Sequence, residues 1–171
     1  MKIQAHIKQL TEENKPDNPL YRTLEIHMQR MGFLVPYREE LNWTTEYETI
    51  ELGEEQQLIE LQKLAAKNDG GTLFFAKITK NTIYQQVICH PNKMGVYLPF
   101  HFETPFTVKV ARQKYWVGSA PRLQNELKWL EIAMNNSGEE EVKAYWENLK
   151  TAVQTAIDRM SPIVLETEAA S

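Results

Sequence analysis

Cysteine is almost absent from this chain: Cys89 is the only one in 171 residues. A single thiol closes no intramolecular disulfide and builds no thiolate zinc cage, so the composition fits a reducing compartment. No run approaches the roughly 18 apolar residues that a membrane-spanning helix needs. Residues 1–10 are polar and alternating, without the apolar core of a secretory signal. The expected location is therefore cytoplasmic. Glycine is scarce too. There are seven, and only Gly70 and Gly71 are adjacent, which leaves no phosphate loop and no dinucleotide fingerprint. No CxxC, HExxH or HxH pattern occurs, and no cofactor is expected.

What is present fits one globular domain, with 42% hydrophobic and 25% charged residues. The net charge of −4 is unevenly spread. Residues 72–136 carry eight Lys/Arg and three Asp/Glu, a net of +5, and the rest of the chain carries −9. The average thus conceals a basic middle and acidic flanks.

Periodicity assigns the elements. Ile3, Ala5 and Ile7 alternate with polar residues as in a half-buried strand. Asn18-Pro19 opens a helix that runs to about Met31, with Leu20, Leu24, His27 and Met28 at helical spacing. His27 on that stripe is read as a boundary histidine. The stretch 43–52, Thr-rich with Tyr47 and Ile50, suits either a short strand or irregular structure. Leu58, Leu61, Leu64 and Ala65 predict a helix over 54–67, with Glu54 and Glu55 at its positive end. Thr72–Ile78 and Thr82–Cys89 are rich in β-branched and aromatic residues and predict a hairpin turning at Lys80-Asn81. Strands over 95–102, 106–111 and 115–117 follow. Ser119 caps a helix lined by Leu123, Leu127, Leu130 and Met134. Ser137 and Glu140 have capping-box spacing before a last helix, whose stripe runs from Val142 and Tyr145 to Met160. The expected fold class is α+β: an antiparallel meander of about four to six strands packed against about four helices, two of them C-terminal. The expected domain spans 1–162, with a mobile tail over 163–171.

Four candidate chemistries rest on these residues: a metal site, a cysteine nucleophile, a carboxylate pair and a basic aromatic surface. Cys89, His90, His101 and Glu103 offer the donor types of a zinc site or a small hydrolase. Neighbouring strand residues point to opposite faces, so His90 is a poor base for Cys89. The dense glutamates Glu39, Glu40, Glu46, Glu48, Glu51, Glu54 and Glu55 suit a solvated cluster compensating a helix dipole better than an acid/base pair. The basic middle interleaves lysines with aromatic rings, a composition that stacks bases or supplies interface anchors. Its expected contact residues are Lys93, Tyr97, His101, Lys109, Arg112, Tyr115 and Trp116.

The residues His90, Gly95, Tyr97, Pro99, Phe102 and Pro105, followed by Gly118, Ser119, Leu123, Glu126 and Leu127, resemble a family of small bacterial proteins with no established activity. The resemblance covers about a quarter of the chain and implies the same bent, proline-terminated sheet. The resulting expectation is a non-enzymatic module with a regulatory, assembly or immunity-type role. It would bind an acidic protein through the basic aromatic sheet face and the 90–106 loop. A small metal-dependent or hydrolytic enzyme using His90 and His101 is the first alternative, and a single-strand nucleic-acid binder the second. No membrane partner is expected.

Overall fold

The structure, a computed structural model, describes residues 1–8, 23, 24, 26, 30, 46–110, 112–137 and 139–168. Strand β1 (Lys2–Lys8) buries Ile3, Ala5 and Ile7 and leaves the alternate residues on the opposite face. Strand β2 (Glu46–Glu54) runs directly into helix α1 (Glu55–Asn68). Short helices α2 (Leu73–Thr79) and α3 (Gln85–Ile88) lead to β3 (Gly95–Leu98). Strands β4 (Phe106–Val110) and β5 (Gln113–Ser119) form a hairpin. Helices α4 (Ala120–Trp129), α5 (Glu131–Ser137) and α6 (Glu140–Asp158) precede the last strand, β6 (Ile163–Glu168).

The strands form one sheet in the order β2-β1-β6-β3-β5-β4. All neighbours are antiparallel except β3 and β5, which run parallel. The α+β class and the mostly antiparallel sheet are as the sequence implied. The connectivity is not a simple meander, because β6 returns from the far end of the chain to lie between β1 and β3. The segment expected to be a tail is thus a central strand, with Ile163 and Leu165 buried. Its apolar run, Ile163-Val164-Leu165, meets cover on both faces: Ile163 and Leu165 join the main core, and the partly buried Val164 joins the cluster on the opposite face.

One face of the sheet carries the main core. Ile3, Ile7, Tyr97, Ile163 and Leu165 pack there against Leu58 and Leu61 of α1 and Tyr145, Leu149 and Val153 of α6. The other face splits in two. Over β3, β5 and β4, Val96, Leu98, Val117 and Val108 pack with Leu24, which lies in a helical stretch. The rest of the helix expected over 19–31 falls largely outside the described residues. Over β2 and β1 that face carries the partly buried Lys2, Gln4 and His6 and the exposed Glu51.

The hairpin expected over 72–89 is two helices. Thr72 caps α2 by accepting from the Phe75 N–H at 3.3 Å, and Lys80 ends it at φ 54°, in the left-handed region. Its inward positions, Leu73 and Ala76, lie three apart, which is helical and not strand spacing. The capping box lies elsewhere than at Ser137: Glu139 is the N-cap of α6, and the reciprocal box joins Glu54 and Gln57 at the start of α1.

A chain ending at Pro162 lacks β6, which hydrogen-bonds both β1 and β3. The expected outcome is loss of the cooperative urea transition and of dispersed amide NMR signals. A truncated chain that unfolds at the full-length midpoint would contradict this topology.

Candidate functional site

The structure separates the expected contact residues. Tyr97 is buried beneath the helices, and Trp116 stands edge-on to it with ring centroids 5.1 Å apart. Tyr115 is half-buried with the cluster on the opposite face. The rings therefore line both sides of the sheet and form no single wet aromatic face. Lys109 and Arg112 are exposed on the β4–β5 hairpin, where Lys109 sits directly opposite Lys114. Lys93 precedes β3 at the same end of the sheet, where the Trp116 N–H donates to the Met94 carbonyl. His101 is exposed in the loop beyond the other end of β3.

The alternative metal set does not assemble either. His90 is buried, with Nδ1 2.7 Å from the Tyr97 hydroxyl and Nε2 2.8 Å from the Tyr145 hydroxyl, so both ring nitrogens are occupied. His101 and Glu103 face solvent, and burial pushes the Cys89 thiol above its ordinary pKa, away from thiolate reactivity. Among the described residues no group of three or more His, Cys, Asp or Glu is placed to hold a metal.

His90 belongs instead to a buried polar frame around α3. Glu126 of α4 accepts from the Gln86 N–H at 3.2 Å and the Val87 N–H at 3.0 Å, satisfying donors of the short helix. The Gln62 amide of α1 donates to the Val87, Ile88 and His90 carbonyls at 3.0–3.2 Å, closing its other end. Gln86 accepts from the Ser119 N–H at 2.9 Å and donates to the Glu103 carbonyl at 3.0 Å. His90, Tyr97, Ser119 and Glu126, which carried the resemblance, are thus parts of one structural knot.

Burial shifts the titratable members of this frame, raising the Tyr97 and Tyr145 hydroxyls as well as moving Glu126 and His90. Desolvation raises Glu126 to about 7, against the backbone donors and Arg122, which lower it. That contribution to stability is full below the ordinary carboxylate range and is lost as pH rises through about 7. Desolvation lowers His90 to about 3. Its contribution is full above the ordinary imidazole value of 6.5 and is lost as pH falls toward about 3. Urea unfolding of wild type and His90→Phe should therefore show a stability difference that narrows between pH 6.5 and about 3. A constant difference would mean that the imidazole is not held neutral.

The exposed chemistry lies at the other edge of the sheet. On the open face, Lys2 of β1 is flanked by Glu54 of β2 and Glu168 of β6, and Gln4 by Glu51 and Glu166. Glu51 and Glu54 are three residues apart and would normally point to opposite faces. A bulge between the partners of Ile3 and Gln4 inserts Leu52 as an extra, buried residue and turns both carboxylates outward. Strand spacing of about 4.8 Å and a two-residue rise of about 6.8 Å put the four carboxylate positions on a frame roughly 10 by 7 Å.

The helix starts extend this surface. Glu55 opens α1, and Gln57 donates to the Glu141 carbonyl at 2.6 Å, tying the start of α1 to the start of α6. Glu139, Glu140 and Glu141 are exposed there, favoured by the positive end of the α6 dipole. Eight glutamates from β2, α1, α6 and β6 thus gather at one corner. Among the described residues, the N-terminal amine lies 3.1 Å from Glu54, Lys2 lies 3.3 Å from Glu51, and His6 Nε2 lies 3.3 Å from Glu166. Exposed pairs of this kind hold little energy, and the carboxylates stay hydrated.

A protein-family model described as "Putative DNA-mimic protein" matches residues 21–170. The chain belongs to that family. No curated protein and no solved structure matches it. The membership corrects two expectations. The family has a stated character, where the resemblance implied none. That character is nucleic-acid mimicry, which overturns a regulatory module binding through a basic aromatic sheet. Among the described residues no helix is long and apolar enough to cross a membrane.

The acidic corner was missed because its members are scattered over the sequence. The available signal was the −9 carried outside residues 72–136, together with Glu51, Glu54 and Glu55, which were read as a solvated cluster.

Proposed function

We propose that the protein is a non-enzymatic DNA mimic whose acidic corner occupies the phosphate-binding surface of a DNA-binding protein and keeps nucleic acid out. DNA presents a dense, regular array of negative charge, and proteins hold it largely by Lys and Arg contacts to phosphates. A carboxylate array on a folded scaffold offers the same charge to the same cations. The observation that carries the reading is the gathering of eight glutamates from four elements onto one corner, in a family described as DNA mimics. The frame of roughly 10 by 7 Å lies within the range of B-DNA groove widths, about 6 and 12 Å. The favoured partner surface is accordingly basic, in place of the acidic one expected from the sequence.

The test is capture. Proteins eluted from DNA-cellulose are passed over the immobilised chain and released with duplex DNA or with salt. Wild type should retain a DNA-releasable, salt-sensitive partner. Glu139→Gln, Glu140→Gln and Glu141→Gln together should weaken that capture about tenfold or more, whereas Lys109→Gln should leave it unchanged. Retention indifferent to competing duplex, or to the triple substitution, would sink the proposal.

A second reading, direct binding of single-stranded nucleic acid by the β4–β5 hairpin, has the exposed Lys109 and Lys114, set opposite each other, with neighbouring Arg112 in its favour. The half-buried Tyr115 leaves that hairpin without a free stacking platform. A gel-shift titration at low salt separates the two readings, since a mimic binds no oligonucleotide.

A further inference from the structure

Helix α2 is inside out for a surface helix of a monomer. It buries Ala76 and part of Leu73 against the core, yet Phe74, Phe75 and Ile78 remain 72%, 66% and 64% exposed. Two further apolar side chains are exposed, Ile83 at 49% and Trp129 at 44%. These two are joined by Arg122, which donates to the Ile83 carbonyl at 2.9 Å and lies 4.9 Å over the Trp129 ring. We infer that the protein is a two-fold homodimer, joined through this outward face of α2.

The area fits that occupant. With aromatic side chains of roughly 150–250 Å², the five residues expose on the order of 500 Å² of apolar surface. A stable interface takes about 800 Å² from each partner, with an apolar centre and a polar rim. The patch supplies the centre, and the stems of its bordering charged residues supply the remainder. Those residues carry both signs. Lys77 and Lys80 lie on and after α2, and Asp69 ends α1 just before it. A two-fold contact sets a residue of one copy against a different residue of the other, so one copy's lysines can face its mate's aspartate. A lipid headgroup layer would be drawn to the lysines but repelled by Asp69. Helix α1, about 21 Å long, separates this face from the acidic corner at its start, so a dimer leaves both corners open.

The inference stands apart from the proposed mimicry, because its test needs no partner. Molar mass is measured by sedimentation equilibrium on the full chain, from about 1 to about 200 micromolar. Wild type should reach twice the 19.9 kDa chain mass. Phe74→Glu with Phe75→Glu should stay at the single-chain mass, with the dimer constant weakened about a hundredfold or more and an unchanged far-UV spectrum. Ile78→Lys is the milder variant should the double one misfold, and it should weaken the dimer in the same direction. Lys109→Glu, on the distant hairpin, should leave the dimer intact. A wild type that stays monomeric throughout, whether or not it floats with anionic vesicles, would overturn the inference. So would a folded Phe74→Glu/Phe75→Glu variant, or an Ile78→Lys variant, with undiminished dimer affinity.

Discussion

The arrangement rests on burying four residues of helix, α3, without leaving its backbone groups stranded. Every buried peptide group needs a partner, and so short a helix pairs internally only the N–H groups at its end, those of Ile88, Cys89 and His90. Glu126 serves the N–H groups at its start and Gln62 the carbonyls at its end. Gln86, itself fully buried, reaches out to β5 and to the loop before β4. These bonds join α1, α4 and the sheet around one point. His90 then anchors the following loop between Tyr97 of β3 and Tyr145 of α6. Removing one member leaves a buried group unpaired, which costs about 1–3 kcal/mol, more than the bond itself contributes on average.

That knot decides which parts of the basic middle are available to solvent. It draws Tyr97 and Trp116 inward and leaves the hairpin lysines at the β4 edge. The strand order places β2 at the opposite edge, five strand spacings or about 24 Å away. Positive charge therefore collects toward one edge and negative charge toward the other. In water, groups that far apart are beyond the screening length of about 8–10 Å, so each edge acts on its own surroundings. The acidic edge does not neutralise the basic one, and it is free to present its charge to a partner.

Much of the fold was legible locally. Alternation in Ile3, Ala5 and Ile7, the stripe of α6 and the serine cap at Ser119 each depend on neighbours in sequence, and each appears where the pattern put it. Residues 72–89 were misread because β-branched and aromatic side chains describe a preference that packing overrides. There the period of Leu73 and Ala76 was the better guide than composition. Strand β6 was misread as a tail because nothing local says that a short terminal segment will be received between β1 and β3. The candidate site fared worst. Surface charge has no periodicity, and a glutamate on β6 gives no sign that it will stand across β1 from one on β2.

The sequence by itself determined the class of the fold, the helix starts at Glu54 and Ser119 and the unequal charge of its middle and flanks, because hydrophobic period, capping and composition are local quantities. Only the tertiary structure decided which residues meet. It placed the terminal strand at the sheet centre, inserted Leu52 as the bulge that turns Glu51 and Glu54 to the same side, and brought the starts of α1 and α6 together through Gln57. A charged surface is a matter of distance through space, and the chain sets those distances only when it closes on itself.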